Sequence, residues 1–184
     1  LYPRLHLLPT GQVFYSAPSS ASVVFDPSSQ SWSFLAWTIY GGPIEERTYG
    51  SSVLLPLTPA NNYDPKVMIM GGDNPATKTT EIIDLGQITP RWVQGPPMSQ
   101  TRVEMEATLL PNGKVFVSGG SAEDENASTA SLTSEIYDPV TTTMQFTGSS
   151  SLGQVGDLVL DSATGNVLLF GGHYNGAGGT WVTK

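Results

Sequence analysis

The sequence predicts an all-β fold made of about four repeats of a small antiparallel sheet, set side by side as the blades of a β-propeller. Three features predict it: a hairpin with a glycine stop that recurs four times, an even spacing between the recurrences, and the lack of any segment with helical periodicity. The stop signature is clearest in Leu109 to Gly120, "LLPNGKVFVSGG". There Pro111-Asn112-Gly113 supplies a turn whose Asn and Gly tolerate positive φ, alternating apolar residues flank it, and Gly119-Gly120 ends the second strand.

The signature returns as "LLPTGQVFYSAP" from Leu7, "LLPLTPANNYDPKVMIMGG" from Leu54 and "LVLDSATGNVLLFGG" from Leu158. Its second strands end at Ala17, Gly71, Gly119 and Gly171, at intervals of 54, 48 and 52 residues. A period near ~50 residues is that of the kelch-type propeller repeat, whereas leucine-rich, ankyrin and tetratricopeptide repeats are far shorter. No stretch keeps apolar residues at i, i+3, i+4 and i+7 for three turns, which excludes helical repeats.

A third and a fourth strand follow each stop. In the first repeat they are "ASVVFDP" and "SWSFLAW", in the second "TEIIDL" and "RWVQG", in the third "SEIYDP" and "TMQFTG". Asp26-Pro27, Asp84-Leu85 and Asp138-Pro139 mark the turn into the fourth strand, because Asp accepts turn hydrogen bonds and Pro halts the ladder. The repeats run over about residues 1–37, 48–98, 101–148 and 153–184 of a single propeller domain. Three are complete, and the last has only "TWVTK" after its stop. Closure of the ring therefore requires Leu1 to Leu8 to pair with blade four or with the inner strand of blade one, or the chain to be part of a larger ring. An unclosed ring leaves an open blade edge along Thr180 to Lys184, through which self-association is expected.

Composition excludes several functions. Twenty Gly and fourteen Pro interrupt the 184 residues too often for long helices. A formal net charge of −8 with 13% charged residues provides no basic stripe, so neither nucleic acid nor an anionic membrane surface is an expected partner. No apolar run approaches the ~18 residues of a membrane span. The absence of cysteine removes disulfides, thiolate nucleophiles and cysteine-based zinc sites.

The stretches "YPRLHLLPTGQVFYSAP", "RTYGSSVLLP", "KVMIMGGDNPATKTTEIIDL", "MSQTRVEMEATLLPNGKVFVSGGS" and "SEIYDP" resemble the galactose oxidase and glyoxal oxidase group of secreted copper-radical oxidases. The likeness covers roughly residues 1–148; the remaining stretch resembles a generic kelch repeat. In that group the copper is held by two tyrosines and two histidines, one tyrosine being crosslinked to a cysteine. This chain has no cysteine and no Tyr-His pair in that order, and only Tyr49 in "RTYGSS" matches an Arg-x-Tyr at an inner-strand start. The resemblance implies the fold and a secreted, carbohydrate-associated relative; it carries over no active site.

The residues themselves provide few catalytic groups. His6 and His173 are the only imidazoles and lie far apart in sequence, so the expectation is no metal and no cofactor, with copper as the alternative. Glu104 and Glu106 in "RVEMEA" share a strand face at a spacing of ~6.6 Å, within the ~5 to 9.5 Å of glycosidase carboxylate pairs. The simpler reading joins them with Arg102 in a solvated charge cluster at the channel mouth. "SAEDENAST" reads as an acidic loop without the spaced carboxylates of a calcium site, and "HYNGAGG" as a connection between strands. Trp32 and Trp92 are assigned to packing between blades, and Tyr15, Tyr40 and Tyr49 to stacking on a ligand. The expected function is a catalytically incomplete galactose-oxidase-like propeller that binds a carbohydrate or protein ligand at the channel mouth through Tyr15, Tyr40, Tyr49, Arg102, Glu104 and Glu106. The alternative is a fragment of a secreted copper-radical oxidase whose metal ligands lie elsewhere.

Overall fold

The computed structural model of the chain describes residues 2–40, 46–73, 75–124, 126–149, 155–161, 163–164, 166–171 and 182–183. The fold is all-β and propeller-like, with two single-turn 3-10 segments, Pro59–Asn61 and Ala127–Thr129, as the helical elements among these residues. The first sheet is β1 (Arg4–Leu7), β2 (Val13–Ala17), β3 (Ala21–Asp26) and β4 (Ser31–Trp37). The second is β5 (Ser51–Leu54), β6 (Lys66–Met70), β7 (Thr80–Asp84) and β8 (Trp92–Gln94), and the third β9 (Val103–Leu109), β10 (Val115–Ser121), β11 (Thr133–Asp138) and β12 (Thr143–Ser149). The fourth has β13 (Val155–Leu160), β14 (Val167–Gly171) and β15 (Val182–Thr183). Each sheet is antiparallel, with neighbouring strands in sequence order.

The hairpin-and-stop pattern becomes β1-β2, β5-β6, β9-β10 and β13-β14. Asp26, Asp84 and Asp138 end the third strands as their turn chemistry demands, accepting the backbone N–H of Ser28, Gly86 and Val140 at 2.8, 3.0 and 2.9 Å. The stop glycines are required twice over. Gly71 has a φ of 62° and Gly120 one of 81°, and a Cβ on either would lie 2.5 or 2.4 Å from the carbonyl oxygen of Arg102 or Val103.

Matching rows of side chains cross the sheets. Leu7, Val13, Phe25 and Trp32 face one another in the first; Leu54, Val67, Ile83 and Trp92 in the second; Leu109, Val115, Tyr137 and Met144 in the third. In the second and third sheets this row is turned towards the preceding sheet. Val67, Ile83 and Trp92 bury against Phe14 and Leu8. Val115 and Tyr137 bury against Val53, Leu55, Met68 and Met70. Each such side chain stabilises its junction by ~1.5–3 kcal/mol when fully buried. Trp92 has the expected role: it is 4% exposed, its ring lies 6.2 Å from that of Phe14, and its indole N–H donates to Ser22 Oγ at 2.9 Å. Trp32 does not. It holds the same row position but is 55% exposed, with no sheet packed on that face among the described residues.

The inner strands adjoin in the order β1, β5, β9, β13, and no comparable contact joins β13 to β1 among the described residues. Arg4–Leu7 is itself the innermost strand of the first sheet, paired with β2. His173, Trp181 and most of the edge along Thr180 to Lys184 lie outside the described residues.

Candidate functional site at the inner-strand starts

The second and third sheets begin with the same polar device. Arg47 is buried, donating from Nε to the Gly71 carbonyl at 3.0 Å, from Nη2 to the Thr79 carbonyl at 2.6 Å, and from Nη1 to Glu81 Oε1 at 2.7 Å. Arg102 is equally buried, donating from Nη1 to the Gly119 carbonyl at 2.7 Å and from Nη2 to Thr133 Oγ1 at 2.7 Å and Glu135 Oε1 at 3.1 Å. The glutamates use their other lone pairs on the connection arriving from the preceding sheet. Glu81 accepts the backbone N–H of Ile39 at 2.6 Å and of Tyr40 at 3.3 Å. Glu135 accepts the backbone N–H of Ser99 at 2.9 Å and its hydroxyl at 3.0 Å. Burial lowers both arginine pKa values, and the facing carboxylate opposes that shift.

This corrects the reading of Arg102. The guanidinium is not part of a solvated cluster with Glu104 and Glu106; it is bound to Glu135, 33 residues further along the chain. Tyr40 is half-buried on the connection that Glu81 holds. Tyr15 lies on the second strand of the first sheet, opposite Leu5 and Val23, rather than on an inner strand.

Two residues after each arginine stand Tyr49 and Glu104, with φ values of 54° and 53°. Left-handed backbone is uncommon in tyrosine and glutamate, and its occurrence at matching points of two sheets marks a shared constraint. The Glu104 N–H donates to the Tyr49 carbonyl at 2.7 Å, which sets the two residues side by side at one end of the inner strands. Tyr49 is 44% exposed, and the ring of Tyr2, 75% exposed, lies 6.0 Å from it. Glu106 is half-buried one alternation further along β9, opposite Ser118. The left-handed turn at Glu104 departs from the extended geometry that an i, i+2 carboxylate pair presumes.

Arg4 completes the wall. Its Nη2 donates to the Arg47 carbonyl at 2.7 Å. Its pKa is lowered to about 10 by burial and by Arg47, against the opposing pull of Tyr15 and Glu106. Deeper on the same strand, His6 Nε2 is hydrogen bonded to Ser52 Oγ, which meets Ser16 Oγ at 2.8 Å. Burial, with Arg4 nearby, lowers the His6 pKa to about 4, so the ring is neutral at pH 7. Neither Arg4 nor the His6–Ser52 contact was singled out in the sequence; the signal available was a polar residue at alternate positions of a strand whose other residues are leucine.

Among the described residues the donors do not gather for a copper ion: no three of His, Asp, Glu or Cys come together, and the one described imidazole is engaged with Ser52. A separate cleft of about 1470 Å³ opens between the second and third sheets at the hairpin-turn end, and none of the residues expected at a site lines it. Four of its five charged groups are spent in two matching surface pairs, Lys66–Asp84 at 3.2 Å and Lys114–Asp138 at 2.9 Å, and the fifth is Arg91.

No protein-family model matches the chain. "Putative aldehyde oxidase Art an 7" of Artemisia annua is 26% identical over 166 residues, covering 76% of this chain and 27% of that protein. Among solved structures, a fungal alcohol oxidase of the AA5 family in complex with copper superposes with a TM-score of 0.64 at 17% identity, over 99% of this chain and 52% of that one. YjhT superposes with a TM-score of 0.71 at 13% identity, over 99% of this chain and 64% of that one. These two likenesses are of fold. The chain spans between about a quarter and under two thirds of the length of these proteins. No helix among the described residues is long and apolar enough to cross a membrane.

Proposed function

We propose that the chain is a kelch-type propeller unit of a secreted, oxidase-related protein, and that it binds a carbohydrate at the inner-strand mouth without a catalytic metal of its own. The observation that carries this reading is the pairing of Tyr49 and Glu104: adjacent, in matching left-handed conformations, in front of two buried arginines each paired with a scaffold glutamate. The tilted, exposed rings of Tyr2 and Tyr49 provide an apolar surface for a sugar face. Glu104 and Glu106 provide acceptors for its hydroxyls, with Arg4 behind them. Arg102 acts as a positioning residue for this mouth. Tyr40 is held at its edge, and Tyr15 lies outside it.

Titration calorimetry with galactose-containing oligosaccharides tests the reading. Binding is expected to weaken about tenfold or more in Tyr49→Ala, in line with the ~1–2 kcal/mol of a lost stacking contact. Saturable binding of a peptide or protein, with none of any glycan, would replace the carbohydrate by a protein ligand.

A second reading, part of a copper-radical oxidase with its metal ligands elsewhere, is favoured by the alcohol oxidase likeness and by the share of that protein this chain spans. Elemental analysis, after dialysis against Cu(II), of the protein as its source expresses it separates the two. The binding unit retains no stoichiometric copper; one tightly held copper per molecule, with a radical-type visible band, would overturn it in favour of the oxidase.

A further inference from the structure

The cleft between the second and third sheets has the chemistry of a ligand site, and this inference is independent of the reading of the mouth. Both of its walls are built from described residues. Its floor lies where the buried seam of the two sheets ends, at Leu55 and Tyr137. Beyond them Ile82 and Val93, paired across β7 and β8, line the second-sheet wall, with Val93 51% exposed. Ile88 and Val140, on the turns that lead into the fourth strands, also line the cleft and are almost wholly exposed. At about 1470 Å³ the cleft exceeds the ~300–1,000 Å³ of most small-molecule pockets, so it has room for an extended ligand.

Charge says what kind of ligand fits there. Asp84 and Asp138 are each engaged by a lysine and by the backbone of their own turn. Arg91 has no ion pair among the described residues. The repeat shows it to be an addition: strand register sets Arg91 beside Asp84, where the first sheet sets Ser31 beside Asp26 and the third sets Thr143 beside Asp138. Strand alternation turns Arg91 the same way as Val93, away from Trp92 and towards the third sheet. Lys66, Lys114 and Arg91 against Asp84 and Asp138 leave the cleft net positive in a chain of net charge −8. The unspent charge is thus a cation at the end of an apolar wall. We propose that the cleft binds an acidic amphiphile: an extended apolar body lying on Ile82 and Val93, with one carboxylate or sulfonate held by Arg91.

Fluorescence titration of the protein as its source expresses it tests this with two probes that share one body, 8-anilinonaphthalene-1-sulfonate and the uncharged N-phenyl-1-naphthylamine. Saturable binding is expected, at least about tenfold tighter for the sulfonate. Arg91→Gln, at an exposed site, should abolish that preference and leave the affinity for the neutral probe unchanged, and Arg91→Lys should restore part of it. Val93→Asp should weaken the binding of both probes at least about tenfold. Near-UV circular dichroism from the buried Trp92 should be the same in all three variants. Dodecanoate should displace the bound sulfonate, and dodecylammonium should not. Equal affinities for the two probes, a sulfonate site indifferent to Arg91→Gln and Val93→Asp, equal displacement by the two amphiphiles, or no binding because another part of the protein covers the cleft would each overturn the proposal.

Discussion

The junction between the first and second sheets and the junction between the second and third do the same task with different chemistry. The first is aromatic and hydroxylic: Phe14 against Trp92, the indole N–H on Ser22, and His6, Ser52 and Ser16 in a short hydrogen-bonded chain. The second is built on sulfur, with Met68, Met70, Met98 and Met105 buried together and Met144 packed against them. Across both runs the same Arg–Glu clip. The clip fixes where one sheet hands the chain to the next, which leaves the apolar filling free to differ. Directional indole–hydroxyl bonding defines register in one wedge, and unbranched thioethers fill the other without defining it.

The largest effect should come from breaking a clip. Glu81→Ala and Glu135→Ala each leave a buried arginine without its carboxylate and release the backbone of Ile39 and Tyr40 or of Ser99. About 3–5 kcal/mol of stability should be lost in each, measured by urea unfolding. Equal losses mean the clips are interchangeable. A loss under about 1 kcal/mol in either would show that junction to be held by its apolar filling alone.

Next in size is the glycine stop of the third sheet. Gly120→Val places a Cβ against the Val103 carbonyl at a φ of 81° and should cost more than the ~1–3 kcal/mol of left-handed strain alone. Gly148→Ala, where a Cβ meets nothing within 4 Å, should change the melting temperature little. Similar melting temperatures for the two variants would refute the close approach.

Acid should distinguish the junctions too. His6 has a folded pKa of about 4, below its ordinary 6.5, so between those values the unfolded chain binds the proton and the folded chain does not. Stability present above pH 6.5 is therefore lost as pH falls towards 4, by on the order of 2 kcal/mol for a half-buried ring. His6→Gln should flatten that part of the stability–pH curve; an unchanged slope would mean the loss arises elsewhere.

The smallest change isolates one bond. Trp92→Phe keeps a ring against Phe14 and loses the donor to Ser22, for about 1 kcal/mol. Met105→Leu in the other wedge, a swap of nearly conserved volume, should cost less than that. If the methionine replacement costs more than the tryptophan one, the assignment of register to the aromatic wedge fails.

The strands and their ends were legible because their signals are local. Gly71 and Gly120 announce backbone that only glycine adopts at so close an approach, and Asp26, Asp84 and Asp138 cap turns within two residues. The site was less legible because its chemistry is not local. Arg102 was grouped with Glu104 and Glu106, its neighbours in sequence, whereas its partner Glu135 is the second residue of "SEIYD". The repeat held that signal: "TEIID" and "SEIYD" each carry a strand-three glutamate, each is preceded by an arginine ahead of the inner strand, and the first sheet has Val23 at the glutamate position. Trp32 and Trp92 read alike because residue type and register are alike. What separates them is whether another sheet lies alongside, which no single repeat encodes.

All five methionines of the chain are gathered at one wedge. A thioether oxidised to its sulfoxide becomes polar and bulkier, and four of these five are sealed from solvent. Peroxide therefore reaches those four only while the second and third sheets stand apart, so the rate of sulfoxide formation reports how often that seam opens. The first product to form there keeps it from closing well again, which makes this seam the place where oxidative damage, once begun, feeds itself.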